Sequence, residues 1–234
     1  MSAREDGIPA HERGVAVVTG GTRGIGKAIA ERLRGDGWQV VTLGRTGGDV
    51  ACDVADPEAV ARAFDEIEER WGHVACLVNN AGERRDGLAV RMTHEQFAGV
   101  VATNLTGAFN CTQRVLGPML SARWGRIVNV SSAVALRANP GQANYAAAKA
   151  GLLALTRTVA REMGRKGVTC NAVTPGVIAT DMTADGVADR LVELVPAGRV
   201  GQPEEVAASV AFLCSDDAAY VNGAVLAIDG GLAA

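Results

Sequence analysis

Three side chains able to hold or move a proton lie close together in this chain: Ser132, Tyr145 and Lys149. The last two stand four residues apart in the run Asn144-Tyr145-Ala146-Ala147-Ala148-Lys149. Positions i and i+4 share one face of a helix, so this spacing sets a phenol beside an ammonium group. A free phenol has a pKa of about 10 and gives up its proton reluctantly at neutral pH. A neighbouring cation favours the phenolate, lowers that pKa and makes the phenol a usable general acid. Ser132 lies thirteen residues before Tyr145, at the end of the apolar run Arg126-Ile127-Val128-Asn129-Val130-Ser131. From there its hydroxyl can hydrogen-bond a carbonyl oxygen, and the three groups together would polarise and protonate a ketone. The same spacing also fits a half-buried aromatic next to a solvated helix lysine, so the elements around it bear on the choice.

The most informative of those elements is at the other end of the chain. Gly14-Val15-Ala16-Val17-Val18-Thr19 reads as a short buried strand, and Lys27-Ala28-Ile29-Ala30-Glu31-Arg32-Leu33 has helical periodicity. Between them runs Gly20-Gly21-Thr22-Arg23-Gly24-Ile25-Gly26. Strand, glycine-rich turn and helix form the context of a dinucleotide site. Gly20 permits the turn, Gly24 lets the backbone approach a pyrophosphate, and Gly26 lets helix and strand pack closely. The free N–H groups and dipole at the helix start then face the phosphates. The glycine spacing, G-x-x-x-G-x-G, differs from the commoner G-x-G-x-x-G.

Strand-like runs near 15–19, 39–43, 74–78, 126–130, 168–173 and 225–228 alternate with helical ones near 24–34, 57–70, 95–120, 142–164 and 203–214. Such alternation implies a parallel sheet covered by helices on both faces. Only nine residues separate Leu43 from Asp53, too few for the usual crossover helix. The third strand is therefore expected to be short, at a sheet edge, and reached without a helix. The hydrophobic content of 48% supplies a large core, and a chain of this length forms one domain in many α/β proteins. The first twelve residues read as a loose tail ahead of a single domain over 13–234, with a substrate lid near 181–199. No apolar run of 18 residues is present, and the N-terminus lacks an apolar signal core. Five cysteines without C-x-x-C spacing read as buried thiols of a cytoplasmic protein. Three scattered histidines predict no catalytic metal, and a net charge of −3 argues against nucleic-acid binding.

The end of the second strand, Thr42-Leu43-Gly44-Arg45-Thr46, carries no acid to hold ribose hydroxyls. Arg45 and Arg23 can instead fork around a phosphate, or stand as ordinary surface arginines. Asn79-Asn80-Ala81-Gly82 ends the fourth strand, where amides can brace the crevice beside a ribose; the run also fits a simple turn.

With these segments in place, the chain resembles the classical short-chain dehydrogenase/reductases from about Val15 to Asp229. The glycine turn, the Asn-Asn-Ala-Gly run, Asn104-Leu105-Thr106-Gly107, Gly141 to Lys149, Pro175-Gly176 and Ile228-Asp229-Gly230-Gly231 carry the likeness. Within that superfamily it is most similar to the 3-oxoacyl-[acyl-carrier-protein] reductases, on Arg91-Met92-Thr93, Gly141 to Tyr145 and Asp181-Met182-Thr183. The resemblance implies a single-domain Rossmann-type, doubly wound α/β fold and NADPH-dependent reduction of a carrier-bound 3-oxoacyl thioester. It implies a catalytic set of Asn104, Ser132, Tyr145 and Lys149, with Ser132 preferred over Ser131 by its spacing. Tyr145 and Lys149 also meet the cofactor, and Asn104 kinks a helix on the route that reprotonates Lys149.

For NADP(H) the implied contacts are Gly20, Thr22, Arg23, Gly24, Ile25, Gly26 and Arg45. Beyond the turn they are Asp53 and Val54 at the adenine, Asn80, Ala81 and Gly82, and then Pro175, Gly176, Ile178 and Thr180 at the carboxamide. A homotetramer is implied, with Val100, Leu105, Phe109, Leu153 and Val159 placing apolar surface on more than one helix face. Arg123 and Lys166 match positions that dock the acyl carrier protein. A reductase of a small free ketone, a polyketide tailoring ketoreductase and a non-catalytic dinucleotide sensor are the competing readings.

Overall fold

The computed structural model describes residues 14–180 and 192–234. Its centre is a seven-stranded parallel sheet in the order β3-β2-β1-β4-β5-β6-β7. The strands are β1 (Val15–Thr19), β2 (Gln39–Gly44), β3 (Val50–Ala51), β4 (Val74–Asn79), β5 (Gly125–Val130), β6 (Val168–Pro175) and β7 (Val225–Ile228). The helices are α1 (Gly24–Gly35), α2 (Pro57–Trp71), α3 (His94–Val101), α4 (Gly107–Ala122), α5 (Ala143–Met163) and α6 (Pro203–Cys214). The doubly wound architecture expected from the alternation is the one observed.

The period of two in β1 divides the core. Val15 and Val17 face one layer, where Phe64 and Ile67 of α2, Val115 and Met119 of α4 and Val159 of α5 pack. Ala16 and Val18 face the other, against Ile29 and Leu33 of α1 and Val206 and Val210 of α6. Strands buried on both faces read as continuous apolar runs, which is why β1, β4 and β5 stand out in the sequence. All five cysteines are buried with free thiols. Among the described residues no helix is long and apolar enough to cross a membrane.

The third strand is as short as the chain length demands. β3 has two residues, lies at the sheet edge and pairs Leu43 with Val50 and Gly44 with Ala51. Only Arg45–Asp49 lies between the two strands, and no helix forms there. Asp49 closes this link by accepting hydrogen bonds from both the N–H and the hydroxyl of Thr42, each at 2.8 Å. Gly48, at φ +101°, passes so near the Thr42 carbonyl that a Cβ there would sit 2.8 Å from it.

The helix expected over 95–120 is interrupted. α3 runs into a π turn over Ala102–Thr106 before α4 begins, and Asn104 lies buried within it. The Asn104 Nδ2 donates to the Val100 carbonyl at 2.9 Å and to the Glu83 carbonyl at 2.9 Å. The side chain thus occupies the groove where a regular helix would close its own ladder, and the wider turn accommodates it.

A polar chain crosses the sheet beneath the strand ends. Asn79 and Asn129 are register partners on β4 and β5. Asn79 Nδ2 donates to Thr112 on α4 at 3.1 Å and to Asn129 Oδ1 at 2.8 Å. Asn129 Nδ2 donates in turn to the Thr156 hydroxyl on α5 at 2.8 Å. Asn129 is wholly buried, so loss of its amide strands partners that water cannot reach. Asn129→Ala is expected to lower stability by about 1–3 kcal/mol. A urea midpoint unchanged from that of the parent would show that the chain contributes nothing to holding α4 and α5 together.

Candidate active site

Because every strand is parallel, β1, β4, β5 and β6 end at one edge of the sheet. The strand order reverses between β1 and β4, where connections leave to opposite faces and open a crevice. Thr19, at the end of β1, ties this crevice together. Its hydroxyl accepts from the N–H groups of Asn80 and Ala81, both at 2.9 Å. Asn80 was expected beside a ribose, yet its Nδ2 is committed to the carbonyls of Thr19 at 3.0 Å and Gly20 at 3.1 Å. It fixes the glycine turn. Thr19 itself was missed in the sequence, where a threonine ending an apolar strand carries no special signal.

The turn has the shape its glycines predict. Gly20 and Gly24 adopt positive φ, +63° and +50°. A Cβ on Gly26 would lie 2.1 Å from the Gly20 carbonyl oxygen, so only glycine lets α1 start there. Arg23 precedes the helix in an extended conformation and provides no side-chain cap, leaving the first N–H groups of α1 directed outwards. Thr22, Arg23, Gly24, Ile25, Arg45, Asp53, Val54, Ala81 and Gly82 line one cleft of about 550 Å³ with Gly20, Gly26, Asn80 and Thr180. Helix-start N–H groups, two arginines and a backbone stripped of side chains form a donor set suited to a dinucleotide's phosphates.

A second cleft of about 560 Å³ shares Ile25, Asn80, Gly82 and Thr180 with the first. Ser132, Tyr145, Lys149, Pro175, Gly176 and Ile178 line it. The structure therefore gathers every predicted cofactor and catalytic residue around two joined clefts, apart from Asn104. That residue lies behind the wall, 1% exposed, and its Oδ1 would be 2.6 Å from a Cβ on Gly82. Among the described residues this buried Oδ1 has no hydrogen-bond partner.

The two candidate serines separate cleanly. Ser131 is buried and its hydroxyl donates to the Lys149 carbonyl at 2.9 Å, tying α5 to the end of β5. Ser132 begins a short 3₁₀ turn, accepts the Val134 N–H at 3.3 Å and faces the cleft. Tyr145 lies in the first turn of α5, oriented by the neighbouring Asn144 and Gln142. Asn144 is buried; its Nδ2 donates to the Arg85 carbonyl at 2.9 Å, and its Oδ1 accepts the Tyr145 N–H at 2.8 Å. Gln142 donates to both carboxylate oxygens of Asp86, at 3.2 and 3.1 Å. These contacts fasten the start of α5 to the loop that follows β4.

The electrostatics correct one expectation. Burial pushes the Tyr145 phenol above its ordinary pKa; the Arg84 guanidinium and a hydrogen bond with Ser132 pull it partly back, and Asp86 pushes it up. Lys149 lies 5.6 Å from the Tyr145 ring centre, and its ammonium donates to the Val130 carbonyl at 2.8 Å. The lowering expected from Lys149 is not among these influences; burial of the phenol itself sets the direction. Arg84, which lines the second cleft, was not anticipated.

The lid expected near 181–199 falls partly outside the described residues, which resume at Val192. Leu194 lines the second cleft. Arg123 and Lys166 do not meet either cleft. Arg123 caps α4 just before β5, and Lys166 ends the 3₁₀ turn just before β6. Both are therefore at the opposite edge of the sheet, a strand's length of roughly 20 Å from Ser132.

Residues 20–233 match the family model described as enoyl-(acyl carrier protein) reductase. The chain belongs to the short-chain dehydrogenase/reductase family. Short-chain dehydrogenase/reductases of this group use nicotinamide dinucleotides. The chain is 45% identical to the 3-oxoacyl-[acyl-carrier-protein] reductase MabA of Mycobacterium avium, covering 99% of this chain and 94% of that protein. It is also 45% identical to the 3-oxoacyl-[acyl-carrier-protein] reductase FabG of Vibrio cholerae, over 93% of this chain and 96% of the other. Identity to the FabG of Escherichia coli K12 is 41%, with the same coverage.

The burial of Lys149 has a pH signature. Burial holds its ammonium down at about 8, against 10.5 for a solvated lysine. Below pH 8 the group is charged in both folded and unfolded protein, and the folded state carries the full desolvation penalty. Between pH 8 and 10.5 the folded lysine gives up its proton first, so stability gains as pH rises. Lys149→Met is accordingly expected to stabilise the cofactor-free protein at pH 7 by about 1–3 kcal/mol. The advantage should shrink towards pH 10. Melting curves of both proteins across this range check the sign; a difference that stays flat with pH would contradict it.

Proposed function

We propose that this chain is an NADP(H)-dependent 3-oxoacyl-[acyl-carrier-protein] reductase of fatty-acid or polyketide synthesis. The observation that carries the reading is the convergence of Ser132, Tyr145 and Lys149 on a cleft continuous with the glycine-turn cleft. When bound, the nicotinamide supplies hydride to the carbonyl carbon. Ser132 donates a hydrogen bond to the carbonyl oxygen as negative charge develops there. Tyr145 hands the same oxygen its proton as general acid. Lys149, donating to the Val130 carbonyl, stands 5.6 Å from the centre of the phenol ring, where it holds the nicotinamide ribose and the proton that Tyr145 recovers. Asn104, with its buried Oδ1 beside Gly82, serves proton return to Lys149. Arg45 and Arg23 receive the adenosine 2′-phosphate, Asp53 and Val54 meet the adenine, and Ile178 and Thr180 meet the carboxamide.

The description of the matching family model favours a second reading, reduction of an enoyl thioester. A hydroxyl pair can hold a thioester carbonyl as well as a ketone. The deciding assay follows cofactor oxidation with 3-oxobutyryl and 2-butenoyl thioesters and with simple ketones, using NADPH and NADH in turn. Preference for the 3-oxoacyl thioester with NADPH is expected. Tyr145→Phe should then lower turnover by about 10²–10⁴ while cofactor binding persists. Near-normal turnover would remove Tyr145 from the mechanism.

The reading extends to assembly. Of the five apolar residues expected at an interface, Val100, Leu153 and Val159 are buried within the chain, whereas Phe109 is 46% exposed. Phe97 and Leu120 are exposed alongside it on the same helical rod, which supports self-association as a homotetramer. Carrier docking at Arg123 and Lys166, at the sheet edge away from this chain's own clefts, belongs to the same reading. Arg123→Glu with Lys166→Glu should raise KM for the carrier-bound substrate and spare a small thioester. Equal effects on the two substrates would exclude docking at these positions.

A further inference from the structure

One ion pair joins the walls of the two clefts. Arg45, in the link between β2 and β3, places Nη2 3.7 Å from Oε2 of Glu83. Glu83 follows the Asn-Asn-Ala-Gly run and lines the second cleft, while Arg45 lines the first. The partners differ in freedom: the side chain of Arg45 is 59% exposed, that of Glu83 only 16%. Glu83 is also anchored. Its other oxygen, Oε1, is 3.2 Å from Nε of Arg85, and its main-chain carbonyl accepts from Asn104 at 2.9 Å. The carboxylate is therefore a fixed feature of the cleft, and the arginine is the member able to move.

We propose that Glu83 is a specificity-determining residue, an internal competitor that holds Arg45 when no 2′-phosphate is present and so sets how strongly a phosphorylated dinucleotide is preferred. The inference rests on reading Arg45 as the partner of that phosphate. A guanidinium engaged with Glu83 must exchange one anion for another when a phosphorylated dinucleotide arrives. The phosphate offers more charge and three acceptor oxygens, so the exchange runs forward. It is nevertheless weakened by what the arginine leaves behind. A dinucleotide without the phosphate makes no demand on Arg45, so its affinity is indifferent to Glu83.

The test is a fluorescence titration of NADPH and NADH into cofactor-free protein at low salt. Four proteins are compared: the parent, Glu83→Gln, Arg45→Gln and the double variant. An exposed ion pair of this kind corresponds to a factor of about two to five in a binding constant. Glu83→Gln is expected to tighten NADPH by that factor and to leave NADH unchanged. In the Arg45→Gln background the same substitution should have no effect, because the competition has lost its object. Glu83→Ser gives a second route to the same comparison if the glutamine protein folds poorly. An unchanged NADPH affinity, an equal gain for both cofactors, or a gain that survives without Arg45 would overturn the proposal. If Arg45→Gln leaves NADPH binding untouched, the phosphate reading of Arg45 fails as well. If Arg45→Gln weakens NADPH while Glu83→Gln changes nothing, that reading stands and the competition alone is rejected.

Discussion

The direction of the strands is the constraint from which the rest follows. Seven parallel strands deliver their C-terminal residues to a single edge, and the order reverses only between β1 and β4. Whatever chemistry the chain performs has to be assembled along that edge from loops far apart in sequence. The glycine turn after β1, the Asn-Asn-Ala-Gly run after β4, Ser132 after β5 and Pro175-Gly176 at the end of β6 meet there for this reason. The same constraint sends Arg123 and Lys166 away. They precede their strands, and no local rearrangement could bring them round to the other edge.

Holding such an edge together takes polar contacts that do not themselves react. Thr19 joins the ends of β1 and β4 through its hydroxyl, Ser131 joins β5 to α5, and Gln142 and Asn144 join α5 to the loop after β4. Each sits one or a few positions from a residue with a proposed chemical role. In every pair the neighbour's groups are consumed by the protein, which leaves the other free to face the cleft. Ser131 and Ser132 illustrate the division most directly, since their chemistry is identical and only their partners differ.

Much of this was legible in the sequence. Runs buried on both faces announced the strands, and the nine residues between Leu43 and Asp53 announced the short edge strand, because reach along the chain is a matter of bond lengths. The glycine turn was readable because steric demands leave few alternatives to glycine. Other features depend on contacts that no spacing encodes. The π turn arises from Asn104 finding carbonyls on α3 and at Glu83, the latter 21 residues earlier. The raised Tyr145 pKa arises from burial, which the i, i+4 relation to Lys149 does not reveal. Arg84 and Glu83 gain their importance only because the loop after β4 folds over the joint between the two clefts.

The link between β2 and β3 has an evolutionary corollary. Arg45–Asp49 has no helix, contributes nothing to either apolar layer, and is closed by the clasp between Asp49 and Thr42. The residue that the proposed reading sets at the adenosine 2′-phosphate, Arg45, is thus carried on a segment outside both apolar layers. On that reading, cofactor choice and folding are separately heritable traits. A lineage could exchange one nicotinamide currency for the other by point substitutions at this rim, while the sheet beneath it drifted under wholly different pressures.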